Sequence, residues 1–276
     1  MTRILHLTSY PTRPPRHGGQ IRASHTARML EAAGIVEEVA ALEQDLARNA
    51  AAASASTTDV AATIAGWTGR PVAVAANGTV LRRVGHLHGI LPEPLEPWHS
   101  YLLFVGSAHA PNATGFCDLV LPGLSVLRAG QLIVVAGRVG ELIRARLEGH
   151  ELSYLARDRI VLLGAVGELA LSSLLGNARG VLLPITYGGG SNLKTPEALV
   201  SGLPVLGTSC AFRGFERYAG LPGVAIADDP AAFAAGMRAL LATATPAAPL
   251  VAPQDLLWDS TLQPIVALVR ALAPAR

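Results

Sequence analysis

Two apolar patterns alternate along the second part of this chain. Short, nearly unbroken apolar runs occur at "YLLFVGS" (101–107), "QLIVVAG" (131–137), "IVLLGAV" (160–166), "GVLLPI" (180–185), "PVLGTS" (204–209) and "GVAIAD" (223–228). Each has the length of a buried strand. Between and after them lie helical stretches: about 112–129, "ELIRARLEG", "ELALSSLLGNA", "TPEALVSG" closed by Gly202, and "PAAFAAGMRALLA". Strands without polar alternation, each followed by a helix, make a parallel sheet covered on both faces. The expectation is a complete, doubly wound α/β domain over 101–250. Ligands of such sheets sit beyond the carboxyl ends of the strands.

The first part is sparser. "RILHLTS" (3–9) reads as a strand, "YPTRPPRHGGQ" as a loop, and "IRASHTARMLEAAG" as a helix ended by Gly34. "IVEEVAAL" suggests a second strand, and "PVAVAANG" (71–78) a third that ends in an Asn-Gly turn. Residues 43–66, with "AAAASASTT", show no patterned apolar face and read as linker or weak helix. Residues 1–84 are therefore expected to form a small α/β part, 85–100 a Pro- and His-rich linker, and 251–276 a terminal helix. Only residues 35–70 separate Gly34 from Pro71, too few to complete a covered sheet of ordinary size. An apolar face or strand edge is expected to remain, for a homodimer or partner to cover, or else local disorder over 43–66.

Composition narrows the function classes. Of 276 residues half are hydrophobic and 15% charged, as in a globular protein. A net charge of +2 argues against a nucleic-acid partner. No apolar stretch approaches the roughly 20 residues that span a bilayer. A cytoplasmic protein is expected, compatible with peripheral contact to the inner membrane. Cys117 and Cys210 stand far apart without metal-ligand spacing, and His86, His88 and His99 with Glu93 and Glu96 match no metal signature. No metal or cofactor is expected. Asp228 and Asp229 suit the start of the helix near Pro230, and Trp67, Trp98 and Trp258 suit packing at domain edges.

The chemically rich loop is "TYGGGSNLKTPE" (186–197), which holds Lys194, the only lysine among 22 basic side chains. The pattern G-x-x-x-x-G-K-[ST] fails because Leu193 precedes the lysine, and G-x-G-x-x-G fails at the same residue. General physics still favours phosphate. Glycines allow close backbone approach, a following helix presents N–H groups, and Lys194 adds a charge. Glu197, one turn on, suits ribose or sugar hydroxyls. The bland reading, a tight turn with a solvated lysine, stands beside this one. Arg213 in "AFRGFE" faces the ligand of this loop or is a solvated strand-end residue.

The string "FVGSAHAPNATGF … LIVVAGR … IVLLGAVGEL … GVLLPITYGGGSNLKTPEALVSGLPVLGTSCAFRGFE … WDSTL" resembles the donor-binding half of family-four, GT-B-fold glycosyltransferases. "ILHLTSYPTRPPRHGGQ" resembles their N-terminal glycine loop, and "LLWDSTLQPIVALVRAL" their final helix, which in that fold crosses back to the first domain. The resemblance implies a GT-B-like protein with a much shortened acceptor domain. It implies sugar transfer from a nucleotide diphosphate sugar, with retention at the anomeric carbon. The acceptor would be a carbohydrate, a lipid-linked sugar or a small molecule. Carried over by position, Lys194 and Glu197 are the catalytic candidates. His17, Gly18, Gly19, Ser107, Asn112, Gly188, Gly189, Gly190, Ser191, Asn192, Leu193, Thr195 and Arg213 complete the donor site. The family's paired glutamates are reduced to one, because Gly189 holds the first position. "SAHAPNATG" offers His109 and Asn112 where the family usually has a basic residue. A non-catalytic relative that binds nucleotide-sugar or a partner protein is the second reading, and an unrelated α/β phosphate binder the third.

Overall fold

The computed structural model describes residues 3–7, 26, 36–40, 52–81, 91–188, 192–242 and 252–272. The chain forms two compact units. The smaller comprises Met1–Val80, Gly190–Leu193 and Gln254–Arg276; the larger comprises Leu81–Gly189 and Lys194–Pro253.

In the smaller unit β1 (Arg3–Leu7) pairs in parallel with β2 (Val36–Ala40), and β3 (Ala53–Ala55) with β4 (Val72–Val74). Of the linker or weak helix expected over 43–66, residues 58–68 take the helical alternative, as the helix Thr58–Thr68, and the short strand β3 before it was not expected. Alanine has the highest helix propensity, and both ends are capped. Thr57 Oγ1 accepts from Val60 N at 3.3 Å, and Gly69 N donates to Ala65 O at 2.8 Å. Residues 43–51 lie outside the described part. Among its described residues one core cluster gathers Ala75, Trp258, Leu262, Ile265 and Val269, with half-buried Leu193 against it. Residues on either side of the Thr79–Leu257 bridge lock the segment after β4 to the C-terminal one: Thr79 N donates to Leu256 O at 2.8 Å and Trp258 N to Thr79 O at 3.0 Å. Of the three tryptophans Trp258 is buried, whereas Trp67 and Trp98 are largely exposed.

The larger unit holds a six-stranded sheet: β5 (Ser100–Val105), β6 (Gln131–Ala136), β7 (Ile160–Gly164), β8 (Gly180–Leu183), β9 (Val205–Gly207) and β10 (Val224–Ile226). The order is β10-β9-β8-β5-β6-β7, and every pairing is parallel. Alternate residues face opposite sides. Leu102, Phe104, Ile133, Val135, Leu182 and Leu206 share one core with Phe116, Leu124, Phe233 and Met237. On the other side the Tyr101 hydroxyl donates to Leu174 O at 2.7 Å, within the helix Glu168–Asn177. Burial there pushes the Tyr101 phenol well above its ordinary range. Both faces are therefore covered, which is why these strands carry no polar alternation.

Two helices differ from the sequence expectation. The segment expected as one helix over about 112–129 is three pieces: α-helix Ala110–Gly115, a π turn Phe116–Val120 and a 3-10 helix Leu121–Val126. Pro122 has no N–H to continue an α ladder, so the winding changes beside it. A further helix, Ser153–Arg159, runs directly into β7. Among the described residues no helix is long and apolar enough to cross a membrane.

Candidate functional site

Strand order singles out the candidate corner. The chain steps from β5 outward through β6 to β7, then returns to β8 on the other side of β5 and continues to β9 and β10. The direction reverses between β5 and β8, and the loops leaving their carboxyl ends diverge there. These loops are "GSAHA", after β5, and "PITYGGGSNL", after β8.

The two loops are held together by close packing. A Cβ on Gly115 would stand 1.8 Å from Pro184 O, so only glycine lets the helix after β5 reach the end of β8. Beside this contact the hydroxyls of Thr114 and Tyr187 lie 3.4 Å apart. Asn112 is buried, and its Nδ2 donates to Ser107 O at 2.9 Å. Its amide therefore shapes the loop, while the Ser107 side chain is exposed.

The glycine loop feeds the helix Lys194–Val200. Gly189, Gly190 and Ser191 lie outside the described residues, as do His17, Gly18 and Gly19. Gly188 has φ 144°, a conformation that favours glycine, and Arg213 Nη2 lies 3.9 Å from where its Cβ would be. Asn192 is half-buried. Lys194 is not the solvated side chain of the bland reading. It is half-buried, burial lowers its pKa, and the Glu197 carboxylate pulls the other way. Lys194, Glu197 and Ala198 line a small crevice of about 30 Å³ with Val105, Val181, Leu183, Leu171 and Leu175.

Thr195 is fully buried and its hydroxyl donates to Ala211 O. That bond ties the start of the helix to the loop after β9. The same loop is tied to β8 by Thr208, whose buried hydroxyl donates to Ile185 O and accepts from Ala211 N at 3.0 Å. Arg213 follows, half-buried, with Nη1 3.9 Å from Cys210 Sγ. Asp228 and Asp229 divide their duties. Asp229 Oδ1 accepts from Ala232 N at 2.8 Å, as a helix cap does, whereas Asp228 accepts from Ser209 N at 2.8 Å and Ser209 Oγ at 2.7 Å. Thr208, Tyr187 and Asp228 were not singled out as site residues from the sequence. Their partners lie on other strand-end loops, which no local pattern reveals.

Away from this corner, His99 Nδ1 accepts from Glu96 N at 2.9 Å, and the Trp98 ring lies against its imidazole. His86 and His88 lie outside the described residues. Among the described residues no three His, Cys, Asp or Glu side chains group as a metal site would require.

The family model of the group 1 glycosyl transferases matches residues 99–243, just over half of the chain. Among solved structures, WaaG, a glycosyltransferase of lipopolysaccharide biosynthesis, aligns at 13% identity and a TM-score of 0.58, over 98% of this chain and 99% of that one. The lipopolysaccharide outer core galactosyltransferase WaaB aligns at 14% identity and 0.57, over 92% of this chain and 72% of that one. HepE of Anabaena, solved with UDP and glucose, aligns at 14% identity and 0.59, over 91% of this chain and 76% of that one. No curated protein sequence matches the chain. At such identities the structural likenesses speak for the fold, which is GT-B-like with a complete parallel-sheet unit and a shortened N-terminal α/β part. With its sheet, its glycine loop and this match, the chain belongs to the group 1 glycosyl transferases.

Proposed function

We propose that the chain binds a nucleotide diphosphate sugar at the loops after β5, β8 and β9 and transfers the sugar to an acceptor hydroxyl with retention. One observation carries this reading: two cationic side chains, Lys194 and Arg213, belong to a single glycine corner at the sheet's reversal point, joined through the Thr195–Ala211 hydrogen bond. The two cations stabilise the charge that grows on the departing diphosphate. Glu197 holds the ribose. By the family resemblance Gly188, Gly189, Gly190, Ser191, Asn192 and Leu193 are assigned to the phosphates or sugar, Ser107 and Asn112 to the same donor, and His17, Gly18 and Gly19 to its diphosphate. In the reaction the bond from the anomeric carbon to the β-phosphate oxygen breaks on the face where the acceptor oxygen bonds. The acceptor proton passes to the leaving phosphate, so no side-chain nucleophile is needed.

The UDP in the HepE complex, and the UDP and GlcNAc in that of pneumococcal GtfA, make uridine diphosphate sugars the first donors to try. The acceptor is a carbohydrate, a lipid-linked sugar or a small molecule, met in the cytoplasm or at the inner membrane surface, and a second copy or partner covers the short N-terminal part. The internal shortening favours one further reading, a non-catalytic relative that binds nucleotide-sugar only. Orienting the acceptor carries much of the rate, and the residues 35–70 between Gly34 and Pro71 are few to build a wall that orients it. Titration with nucleoside diphosphates, then hydrolysis of their sugars, separates the two. Sugar release supports the transferase, binding without release the relative, and no binding refutes both.

A further inference from the structure

We propose that Thr208 is a positioning residue: its buried hydroxyl sets the Arg213 guanidinium against the glycine loop, so that diphosphate affinity depends on a side chain that never touches the ligand. The inference rests on the phosphate reading of this corner.

Thr208 stands just past the end of β9 and is 2% exposed. A buried hydroxyl needs partners, and this one uses both its capacities. It donates to Ile185 O, where the loop after β8 begins, and accepts from Ala211 N at 3.0 Å, where the turn carrying Arg213 begins. The backbone repeats the link, since Thr208 N donates to Leu183 O at 3.3 Å and Ala211 N to Thr208 O at 3.0 Å. Gly188 is three residues beyond Ile185, and Arg213 two beyond Ala211. The hydroxyl thus adds a side-chain tie to the backbone link between the loop that would receive a phosphate and the turn carrying the cation beside it, Nη2 at 3.9 Å from the Gly188 Cβ position. Thr195, which meets the same turn at Ala211 O, comes from the helix and leaves the Ile185 link untouched. Thr208→Val keeps the shape and removes the hydroxyl, leaving Ile185 O and Ala211 N without it. Thr208→Ser keeps the hydroxyl.

The test is a double-mutant cycle on the full chain, titrated with uridine diphosphate and with uridine monophosphate. Thr208→Val is expected to weaken the diphosphate roughly tenfold and the monophosphate less, Thr208→Ser to restore most of the loss, and Thr208→Val to cost nothing further in an Arg213→Gln background. A purely structural role would lower affinity by the same factor in both backgrounds and would overturn the proposal. Hydrogen exchange without ligand tests the link separately: Thr208→Val should speed exchange in 184–188 and 209–214 together, and unchanged exchange in either overturns it. If the parent binds neither nucleotide while exchange responds as expected, the phosphate reading falls and the link between the loops stands.

Discussion

The two units obtain their order in different ways. In the larger one, six parallel strands share two covered faces, and three contacts join loops at neighbouring strand ends: Gly115 against Pro184, Thr208 on Ile185, Ser209 on Asp228. In the smaller one the described strands form two separate pairs, and among its described residues one core cluster gathers Ala75, Trp258, Leu262, Ile265 and Val269, the last three on the helix Gln263–Leu272 or next to it. A β-sheet of ordinary size shares the cost of ordering among many neighbours. Among the described residues of the smaller unit, hydrogen bonds tie Thr79 to Leu256 and Trp258 of the C-terminal segment. The lesson is that, among the described residues, one unit takes its order from a fully formed sheet and the other from a few anchoring side chains.

That contrast can be broken by mutation. Trp258→Ala removes the largest side chain of the described cluster in the smaller unit and should cost about 3–5 kcal/mol, read as accelerated exchange over 72–80 and 258–269. Little change there would mean the unit is held by something else. Gly115→Ala forces a methyl into Pro184 O and should cost the larger unit about 1–3 kcal/mol, seen as a lower Tm and a weakened nucleotide site together. The Lys194 contribution depends on pH. Its pKa is lowered in the folded chain, so between that value and the 10.5 of an ordinary lysine the unfolded chain binds more protons. Stability relative to Lys194→Gln should therefore rise with pH through this window, while affinity for a diphosphate falls as the charge is lost. A pH-independent difference between the two melts would contradict the burial. Leu169, 76% exposed at the start of its helix, should tolerate Gln within about 0.5 kcal/mol.

The larger unit was legible because strands buried on both faces read as unbroken apolar runs, and those runs mark all six strands of its sheet to within a few residues. The helix Thr58–Thr68 was not, since an alanine-rich helix has no apolar stripe and its signals are only Thr57 and Gly69 at the ends. The break of 110–126 into three windings was signalled by Pro122 and hidden by the apolar pattern around it. At the site, glycines and the single lysine drew attention by residue type. The hydroxyl bonds that hold them were illegible, because Thr208 meets Ile185 and Thr195 meets Ala211 only after the strands are ordered.

The central claim is that this glycine corner, with Lys194, receives a diphosphate. Calorimetric titration of the full chain with uridine and guanosine diphosphates, beside Lys194→Gln and Glu197→Gln, tests it most directly. The expected result is saturable binding of one nucleotide by the parent, weakened roughly ten- to hundredfold by Lys194→Gln and less by Glu197→Gln. Binding of equal strength in all three proteins, or none in the parent, would contradict it.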